Sequence, residues 1–353
     1  MSAKVRTAVI GAGRMGKLHS RIYSQMDQVE LVGVVDQDIT RAGEVAAEYG
    51  TKAFSDFNEI IDKVDAVTVS VPTEHHYKIS KPFLERGVAV LVEKPLADSL
   101  EVAREMLALS TKNNCVLQVG YSERFNPVAQ AMKRLDFKPR FIESNRISPF
   151  TFRSTDIGVV LDMMIHDIDI ILSMAKSPIK SVFAAGVNVI GKNEDIANVR
   201  IVFESGCVAN MTASRLALKT ERKVRVFSED AYLSLDYFKK TGTIISKAAN
   251  IDMLQEIRKH MDEKGELNLN GADWTNMIHV ETLDIGEKEP LRMEQDAFIK
   301  AVQEKSRPEV SAEDAVEAME LAALIVEKIK EHRWDDGTSA DIGAMNWDTK
   351  KKS

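Results

Sequence analysis

The sequence predicts an α/β domain built on a doubly wound parallel sheet, followed by an α+β domain with a large, mostly antiparallel sheet. Up to Gly120, apolar strand patterns alternate with helical patterns, which requires parallel strands joined by right-handed crossovers. Beyond Gly120, strands follow one another with turn signals between them, which indicates antiparallel pairing. A chain of 353 residues suits two domains, predicted at 1–121 and 122–334, with a mobile tail at 335–353.

The first domain is predicted from short apolar runs and the helical patterns between them. Asp38 and Ser99 stand where helices should begin, and their side chains can accept hydrogen bonds from the free amides there. The predicted strands are Val5–Ile10, Leu31–Val35, Ala53–Phe54, Ala66–Val71, Val88–Val92 and Val116–Val119. The predicted helices are Gly13–Gln25, Thr40–Tyr49, Asp56–Asp62, His75–Arg86 and Leu100–Asn113.

The second domain is predicted to begin and end with helices and to have strands in between. Polar residues 248–273 interrupt it, and we expect an insertion or lid-like loop there, with an amphipathic helix at Met253–Met261. The other predicted helices are Val128–Leu135, Val159–Ala175, Met293–Glu304 and Ser311–Arg333. The predicted strands are Val182–Val189, Val199–Phe203, Cys207–Ser214, Lys223–Ser228, Tyr232–Asp236 and Thr243–Ile245.

Composition and charge exclude several classes of protein. Lys and Arg number 47 against 54 Asp and Glu, and the resulting net charge of −7 argues against a general nucleic-acid or anionic-membrane surface. No apolar run reaches membrane-spanning length, and the first strand begins too close to Met1 to leave room for a signal peptide. Cys115 and Cys207 lie in apolar runs, as core thiols in a reducing compartment do. We therefore predict a cytoplasmic protein.

The first strand leads into a glycine-rich turn, Gly11-Ala12-Gly13-Arg14-Met15-Gly16, and Asp36 closes the second strand. In the fingerprint of the Rossmann fold, the first glycine permits a tight turn, the second lets the backbone approach a pyrophosphate, and the third lets helix and strand pack closely. Amides at the helix start, including those of Arg14 and Met15, then face the anion. Asp36 should accept hydrogen bonds from the adenosine ribose and repel a 2′-phosphate, and no Arg stands next to it in the sequence. This turn predicts NAD as the cofactor, in preference to NADP.

A second motif, Glu93-Lys94-Pro95, ends the apolar strand Val88–Val92. Ligands of doubly wound sheets bind outside the carboxyl ends of the strands, so this position places Glu93 and Lys94 at the cofactor. Thr73 and His76 follow the neighbouring strand. They either contact the cofactor or belong to the start of the next helix, with the histidine on the surface. The adjacent pair His75-His76 points in two directions on a helix, which argues against a metal there.

Asp162 and His166 are ionisable residues on an otherwise apolar helical stretch, four positions apart and therefore on one face. Such residues are costly to bury unless they are paired or functional. One interpretation is an ion pair in the core. The other is an imidazole base that Asp162 orients and that faces Lys94 across the cleft. Because Asp167 and Asp169 are nearby, a carboxylate–histidine metal site is a further alternative, although we predict no metal.

Polar linker residues and a basic cluster are the candidates for substrate binding. Arg124 and Asn126 lie between the two predicted domains, where they either hold a ligand or pack the hinge. Arg215, Lys219 and Arg222 concentrate positive charge on an acidic protein, as a site for an anionic substrate would. The alternative for this cluster is a solvated strand edge.

Together these motifs resemble the glucose–fructose oxidoreductase, inositol dehydrogenase and MocA (GFO/IDH/MocA) family of nicotinamide enzymes. The resemblance extends from Val5 to Arg333 and rests on the glycine turn, Pro72-x-x-x-His76, Glu93-Lys94-Pro95, Gly120-Tyr121, Arg124-Phe125-Asn126-Pro127 and Asp162-x-x-x-His166. It implies that Lys94, Asp162 and His166 form the catalytic group and that the Lys94–Pro95 peptide bond is cis. Many members carry a glycine run before the aspartate, where this chain has Asp156-Ile157-Gly158-Val159-Val160-Leu161.

With this segment, the sequence resembles one subgroup of the family, the UDP-N-acetylglucosamine 3-dehydrogenases. These enzymes supply a 3-keto sugar nucleotide for lipid A amino sugars. The similarity rests on Arg146, on the stretch from Arg153 to Asp169, and on Arg215 to Arg222. It implies that Arg153 and the basic cluster contact the substrate. We predict an NAD-dependent dehydrogenase that oxidises a sugar hydroxyl, first UDP-N-acetylglucosamine at C3, and that forms a homodimer or homotetramer. The alternatives are a dehydrogenase for inositol or free sugars and a non-catalytic NAD(H)-sensing regulator.

Overall fold

The computed structural model describes residues 3–135, 137–151, 157–247 and 278–334. The predicted tail at 335–353, the loop at 248–273 with its helix, and Arg153 lie outside these ranges. Within the described ranges, no helix is both long enough and apolar enough to cross a membrane.

The first sheet is parallel and has the strand order β3-β2-β1-β4-β5-β6. Side chains of the inner strands such as Val67 and Val90 are fully buried, as expected for a sheet that helices cover on both faces. The order reverses between β1 and β4, and the carboxyl ends of these two strands frame a ligand crevice. The strands are β1 Val5–Ile10, β2 Val29–Val35, β3 Lys52–Phe54, β4 Ala66–Val69, β5 Ala89–Glu93 and β6 Leu117–Gly120.

The helices of this part begin largely where the sequence predicts them. Asp38 caps α2 and Ser99 caps α4, each by accepting hydrogen bonds from amides of the first turn. The predicted helix at Asp56–Asp62 is wrong: the segment forms two 3₁₀ turns, and the Asp56 carboxylate accepts a hydrogen bond from the Asn58 amide. Short polar side chains that bond to nearby amides compete with helix formation in this way. The helices are α1 Arg14–Ser24, α2 Ile39–Tyr49, α3 His76–Glu85 and α4 Leu100–Lys112.

The second sheet is antiparallel except where β7 pairs with β10, and its order is β14-β13-β12-β11-β7-β10-β9-β8. The sequence predicts six of these strands and misses β7 and β14. Strand β7 alternates between a half-buried and a buried face, but its buried side chains include Ser144 and Arg146. The usual hydrophobic alternation is therefore absent. The strands are β7 Phe141–Ile147, β8 Ile179–Val187, β9 Ile196–Phe203, β10 Val208–Ser214, β11 Glu221–Phe227, β12 Ala231–Asp236, β13 Thr241–Lys247 and β14 Ile278–Thr282.

The remaining helices pack on one sheet or between the two. The predicted helix at Val159–Ala175 begins with a π-turn, Val160–Met164, and continues as α6. Helix α8 packs against β8, α6 and α4, so it contacts both halves of the fold. Helix α7 packs beside α1 on the first sheet, where Leu291 and Phe298 join its core. These helices are α5 Pro127–Lys133, α6 Ile165–Ala175, α7 Pro290–Glu304 and α8 Ala312–Glu331.

Candidate active site

The glycine turn between β1 and α1 has room for a ligand. Gly11 has a φ of +99°, and a Cβ there would lie 2.3 Å from the Ser70 carbonyl oxygen. A Cβ on Gly16 would lie 1.7 Å from the Gly11 carbonyl oxygen, so the helix can approach the strand only without a side chain. Gly13, by contrast, faces open space, and no side chain caps the helix that begins at Arg14. The free amides of α1 are therefore available to a pyrophosphate.

Asp36 closes β2 beside this turn and is held by the backbone. Its carboxylate accepts hydrogen bonds from the amides of Ala12 (2.8 Å) and Asp38 (2.9 Å). The expectation that no Arg stands beside it is wrong in three dimensions, because α2 brings the Arg41 guanidinium to 3.7 Å from the carboxylate. An acidic residue at the end of the second strand is the usual partner of an adenosine ribose in Rossmann domains, and an arginine nearby can accommodate a 2′-phosphate.

Lys94 follows β5 directly, at the carboxyl edge of the first sheet. The Lys94–Pro95 peptide bond is cis, as the family resemblance implies. The Lys94 ammonium donates a hydrogen bond to the Asp162 carbonyl oxygen (3.0 Å) and lies 3.6 Å from the Asp162 carboxylate. Both side chains keep some exposure, 24% and 29%, so the pair can be reached from solvent and does not lie in the core.

Asp162 and His166 are not paired with each other in the described contacts, contrary to the interpretation in which Asp162 orients the imidazole. The Lys94 ammonium explains the difference, because a cation attracts the Asp162 carboxylate more strongly than a neutral imidazole does. Asp162 pairs with Lys94 instead. Among the described residues, His166 Nδ1 has no hydrogen-bond partner, and the ring packs edge-on against Tyr121 at 6.1 Å between ring centroids.

The His166 imidazole is held in its neutral form. Burial lowers its pKa well below the usual 6.5, and the positive charges of Lys94, Arg146 and Arg222 lower it further. A neutral imidazole beside a lysine ammonium can accept a proton from a hydroxyl, while the ammonium stabilises the charge that develops on the oxygen.

A buried network of charges lies behind His166. Arg146, only 4% exposed, donates hydrogen bonds to Asp167 (2.6 Å) and to Glu123 (3.1 Å). Glu123 accepts a further hydrogen bond from Arg222 (2.8 Å). Asp167 is thus paired with an arginine, which removes it from the alternative of a metal site. The only sign of this network in the sequence is that Ser144 and Arg146 of β7 are polar where an apolar side chain would be expected.

The predicted linker ligands Arg124 and Asn126 serve the packing of the hinge. Arg124 forms a bidentate ion pair with the buried Asp169, with contacts of 2.7 and 2.5 Å. Asn126 is buried, caps α5 by accepting a hydrogen bond from the Val128 amide, and donates to the Tyr237 carbonyl oxygen. Internal contacts therefore hold both side chains, and the ion pair removes Asp169 from a metal site as well.

The predicted basic cluster divides into one buried and two exposed members. Arg215 is 6% exposed and donates a hydrogen bond to the Ile157 carbonyl oxygen (2.6 Å), so its role in this structure is internal. Arg222 and Lys219 expose 44% and 74% of their side chains and remain available to a ligand.

Thr73 and His76 flank the cofactor edge differently from each other. Thr73 lies in a partly exposed 3₁₀ turn. His76 is buried at the start of α3, so its interpretation as a surface residue is wrong. Its ring nitrogens lie 3.0 Å from the carbonyl oxygens of Val71 and Pro95, so it joins the segment after β4 to the segment after β5. Glu93 is fixed similarly, because its carboxylate lies 2.8 Å from Nε2 of the buried His19.

A cavity of about 1140 Å³ lies elsewhere, between α5, the end of α6 and the β11–β12 turn. Arg124 borders it, whereas Lys94, Asp162 and His166 do not. We therefore place the candidate site at the carboxyl edge of the first sheet and not in this cavity. The ionisable groups lie at that edge, and such sheets bind their ligands there.

Fold and site together define an oxidoreductase that binds NAD through a Rossmann domain. The profile described as an oxidoreductase family with an NAD-binding Rossmann fold (GFO/IDH/MocA) matches residues 5–121, and the GFO/IDH/MocA C-terminal domain matches residues 136–234. The chain belongs to the GFO/IDH/MocA family. Membership of an oxidoreductase family supports an enzyme over an NAD(H)-sensing regulator.

Two of the relatives with named activities illustrate different kinds of substrate. UDP-N-acetylglucosamine 3-dehydrogenase of Acidithiobacillus ferrooxidans is 35% identical over 246 residues, which are 69% of this chain and 78% of that protein. The scyllo-inositol 2-dehydrogenase (NAD(+)) of Bacillus subtilis is 31% identical over 235 residues, 61% of this chain and 68% of that protein. A solved structure of the Acidithiobacillus enzyme aligns with a TM-score of 0.81 and 28% identity, covering 93% of this chain and 98% of that one.

Proposed function

We propose that this enzyme oxidises a hydroxyl of a sugar nucleotide to a ketone, with UDP-N-acetylglucosamine at C3 as the first candidate. The observation that carries the proposal is the placement of the Lys94 ammonium against Asp162, within electrostatic reach of a neutral His166. The 35% identity to a protein named for this reaction supports the choice of substrate.

The chemistry divides between the cofactor and three side chains. NAD, when bound, supplies the acceptor for the hydride of the carbinol carbon. The hydroxyl proton passes to the neutral imidazole of His166, and a carbon–oxygen double bond forms as the hydride leaves. Lys94 stabilises the negative charge on the oxygen, and Asp162 holds the Lys94 side chain in position.

Arg222 is the residue that most directly supports an anionic substrate. Its side chain is partly exposed, yet Glu123 fixes it at one end with a hydrogen bond of 2.8 Å. A guanidinium that is bonded on one side keeps further N–H donors for a phosphate. Its charge also reaches His166, because it contributes to the lowered pKa of that imidazole. A diphosphate bound by Arg222 and Lys219 would therefore bring the sugar close to the base.

The alternative is a dehydrogenase for inositol or a free sugar. It gains support from Arg124 and Arg215, which make internal contacts, so that fewer cations are left for a diphosphate than the sequence suggests. The relative that acts on scyllo-inositol, 31% identical, points in the same direction.

NADH formation with a panel of substrates distinguishes the two candidates. Purified enzyme would receive NAD with UDP-N-acetylglucosamine, N-acetylglucosamine, glucose or myo-inositol, together with a carbonyl trap that draws the reaction forward. We expect turnover of UDP-N-acetylglucosamine and a large loss in the Arg222→Gln variant through a raised KM. Turnover of inositol without turnover of any UDP-sugar would contradict the proposal, whereas turnover of another UDP-sugar would keep the class and change the sugar.

A further inference from the structure

The start of the π-turn that carries Asp162 is tied to a loop outside the candidate site. This loop, residues 188–195, joins β8 to β9 and ends in the adjacent acids Glu194 and Asp195, each 1% exposed. The Asp195 carboxylate accepts hydrogen bonds from three successive amides of the loop, at 2.7–3.1 Å, and thereby fixes its shape. The loop is thus a rigid support and not a loose connection.

Glu194 connects this support to the catalytic segment through two hydrogen bonds. Its carbonyl oxygen accepts from the Val159 amide (3.0 Å), and its carboxylate accepts from the Val160 amide (3.1 Å). These are amides of the first turn, which have no partner within the helix itself. Arg215 adds a third tie, because it lies 3.5 Å from the Asp195 carboxylate and donates to the Ile157 carbonyl oxygen.

Gly158 shows how closely this contact is fitted. A Cβ on Gly158 would lie 2.0 Å from the nearer Glu194 carboxylate oxygen, so any side chain there would displace Glu194. The Gly158 carbonyl oxygen in turn accepts a hydrogen bond from the Asp162 amide (3.1 Å). The chain of contacts therefore runs from Glu194 through the first turn to Asp162, whose carbonyl oxygen holds Lys94.

We propose that Glu194 is a positioning residue for catalysis: by accepting the first amides of the π-turn, it sets where Asp162 and His166 lie relative to Lys94. The inference rests on the catalytic role of Lys94 and His166 in the proposed function. The side chain acts as a hydrogen-bond acceptor and not through a charge. An amide oxygen of the same reach therefore serves equally well.

Three variants test this role. Glu194→Met keeps the length and removes the acceptor, and we expect kcat to fall about 10²-fold, the effect of a misplacement of about 1 Å, with KM for NAD unchanged. Glu194→Gln should retain near-normal kcat. Ser311→Ala is the matched control, because it removes the cap of α8 at a similar cost in stability but should leave kcat unchanged.

If Glu194→Met does not fold, Gly158→Ala provides the test. It should lower kcat in the wild-type background and have little further effect in Glu194→Ala, where the carboxylate that it displaces is gone. Normal kcat in Glu194→Met, a Glu194→Gln variant as slow as Glu194→Met, or additive effects of the Gly158→Ala and Glu194→Ala changes would each overturn the proposal.

A readout without turnover separates this proposal from the proposed function. The ring of His166 in histidine-labelled protein, assigned with a His166→Asn variant, should show altered NMR shifts and an altered pKa in Glu194→Met but not in Ser311→Ala. Unaltered His166 signals in Glu194→Met would contradict the positioning role even if no substrate in the panel were oxidised. Altered signals without dehydrogenase activity in the wild type would contradict the proposed function alone.

Discussion

At the scale of single residues, the surroundings of His166 determine its proton affinity. The imidazole is packed against Tyr121, and the nearby cations Lys94, Arg146 and Arg222 all disfavour its charged form. A histidine with its usual pKa of 6.5 would be partly charged just below neutral pH, whereas this one remains neutral there. The candidate site therefore holds a neutral imidazole that, among the described contacts, lacks the carboxylate partner that the sequence suggests.

The pH dependence of the reaction follows from this lowered pKa. Because the folded enzyme keeps His166 neutral as the pH falls through 6.5, the acid limb of kcat/KM that reports this base should lie below that value. Replacing Arg222 by Gln removes one of the charges that lower the pKa, so the limb should move to higher pH. Rate profiles of the wild type and the variant check this, and a wild-type limb above 6.5 would contradict it.

We expect cofactor choice to depend on Asp36 and on Arg41, which the fold brings beside it. Asp36→Ser should weaken NAD binding and improve NADP binding, because the carboxylate no longer repels a 2′-phosphate and Arg41 becomes free to meet it. The double variant Asp36→Ser with Arg41→Ala is the control and should lose the gain for NADP. Dissociation constants for both cofactors measure the change. A wild type that binds NADP more tightly than NAD would overturn the assignment.

At the scale of elements, the parts of the fold with a regular apolar pattern could be predicted, and the parts governed by ion pairs could not. The inner strands β1, β4 and β5 are predicted because their runs are largely apolar on both faces. β7 is missed because its inward Arg146 is apparent as a core residue only once Asp167 and Glu123 are placed beside it. The π-turn is invisible to a helical pattern, and the pairing of Asp162 with Lys94 instead of His166 depends on a residue far away in the sequence. The sequence also suggests Arg124 as a substrate ligand, because its ion-pair partner Asp169 lies 45 positions away and the pairing is not visible in the sequence.

The packing of α7 on the first sheet contains a buried carboxyl group that responds to pH. Glu294 is fully buried, and neither of its oxygens has a partner among the described residues. Burial and the nearby charge of Glu93 raise its pKa well above the usual 4.5. The folded state thus favours the protonated acid, and the stability that this contributes is complete below pH 4.5 and is lost as the pH rises through the folded-state pKa.

Glu294→Gln should therefore flatten the alkaline side of the stability profile. The variant carries no ionisable group, so its Tm should fall less than that of the wild type as the pH rises from about 5 towards 9. Glu44→Gln, at an exposed position of α2, is the control and should follow the wild type. Parallel Tm curves for the wild type and Glu294→Gln would show that Glu294 is not held protonated.

At the scale of the whole molecule, the outer face of the second sheet supports the proposal of a homo-oligomer. Phe183, Val187 and Ile196 project from neighbouring strands of this face with 63%, 38% and 37% exposure. An apolar patch of this kind on a sheet face is typical of an interface between subunits. Light scattering after size-exclusion chromatography should give a dimer or tetramer, and Phe183→Asp should lower the mass. Ile39→Asp, an exposed apolar residue on α2, should not. A wild-type monomer would contradict the proposal.

The central claim is that Lys94 and His166 carry out the oxidation of a hydroxyl at the edge of the first sheet. The most direct test is the rate of NADH formation by Lys94→Ala and His166→Ala, with His75→Ala as a control that changes an exposed histidine of the same region. We expect kcat to fall by about 10²–10⁴-fold in each of the first two variants, with the dissociation constant for NAD nearly unchanged, and we expect wild-type kcat in the control. Near-normal kcat in both Lys94→Ala and His166→Ala would contradict the account.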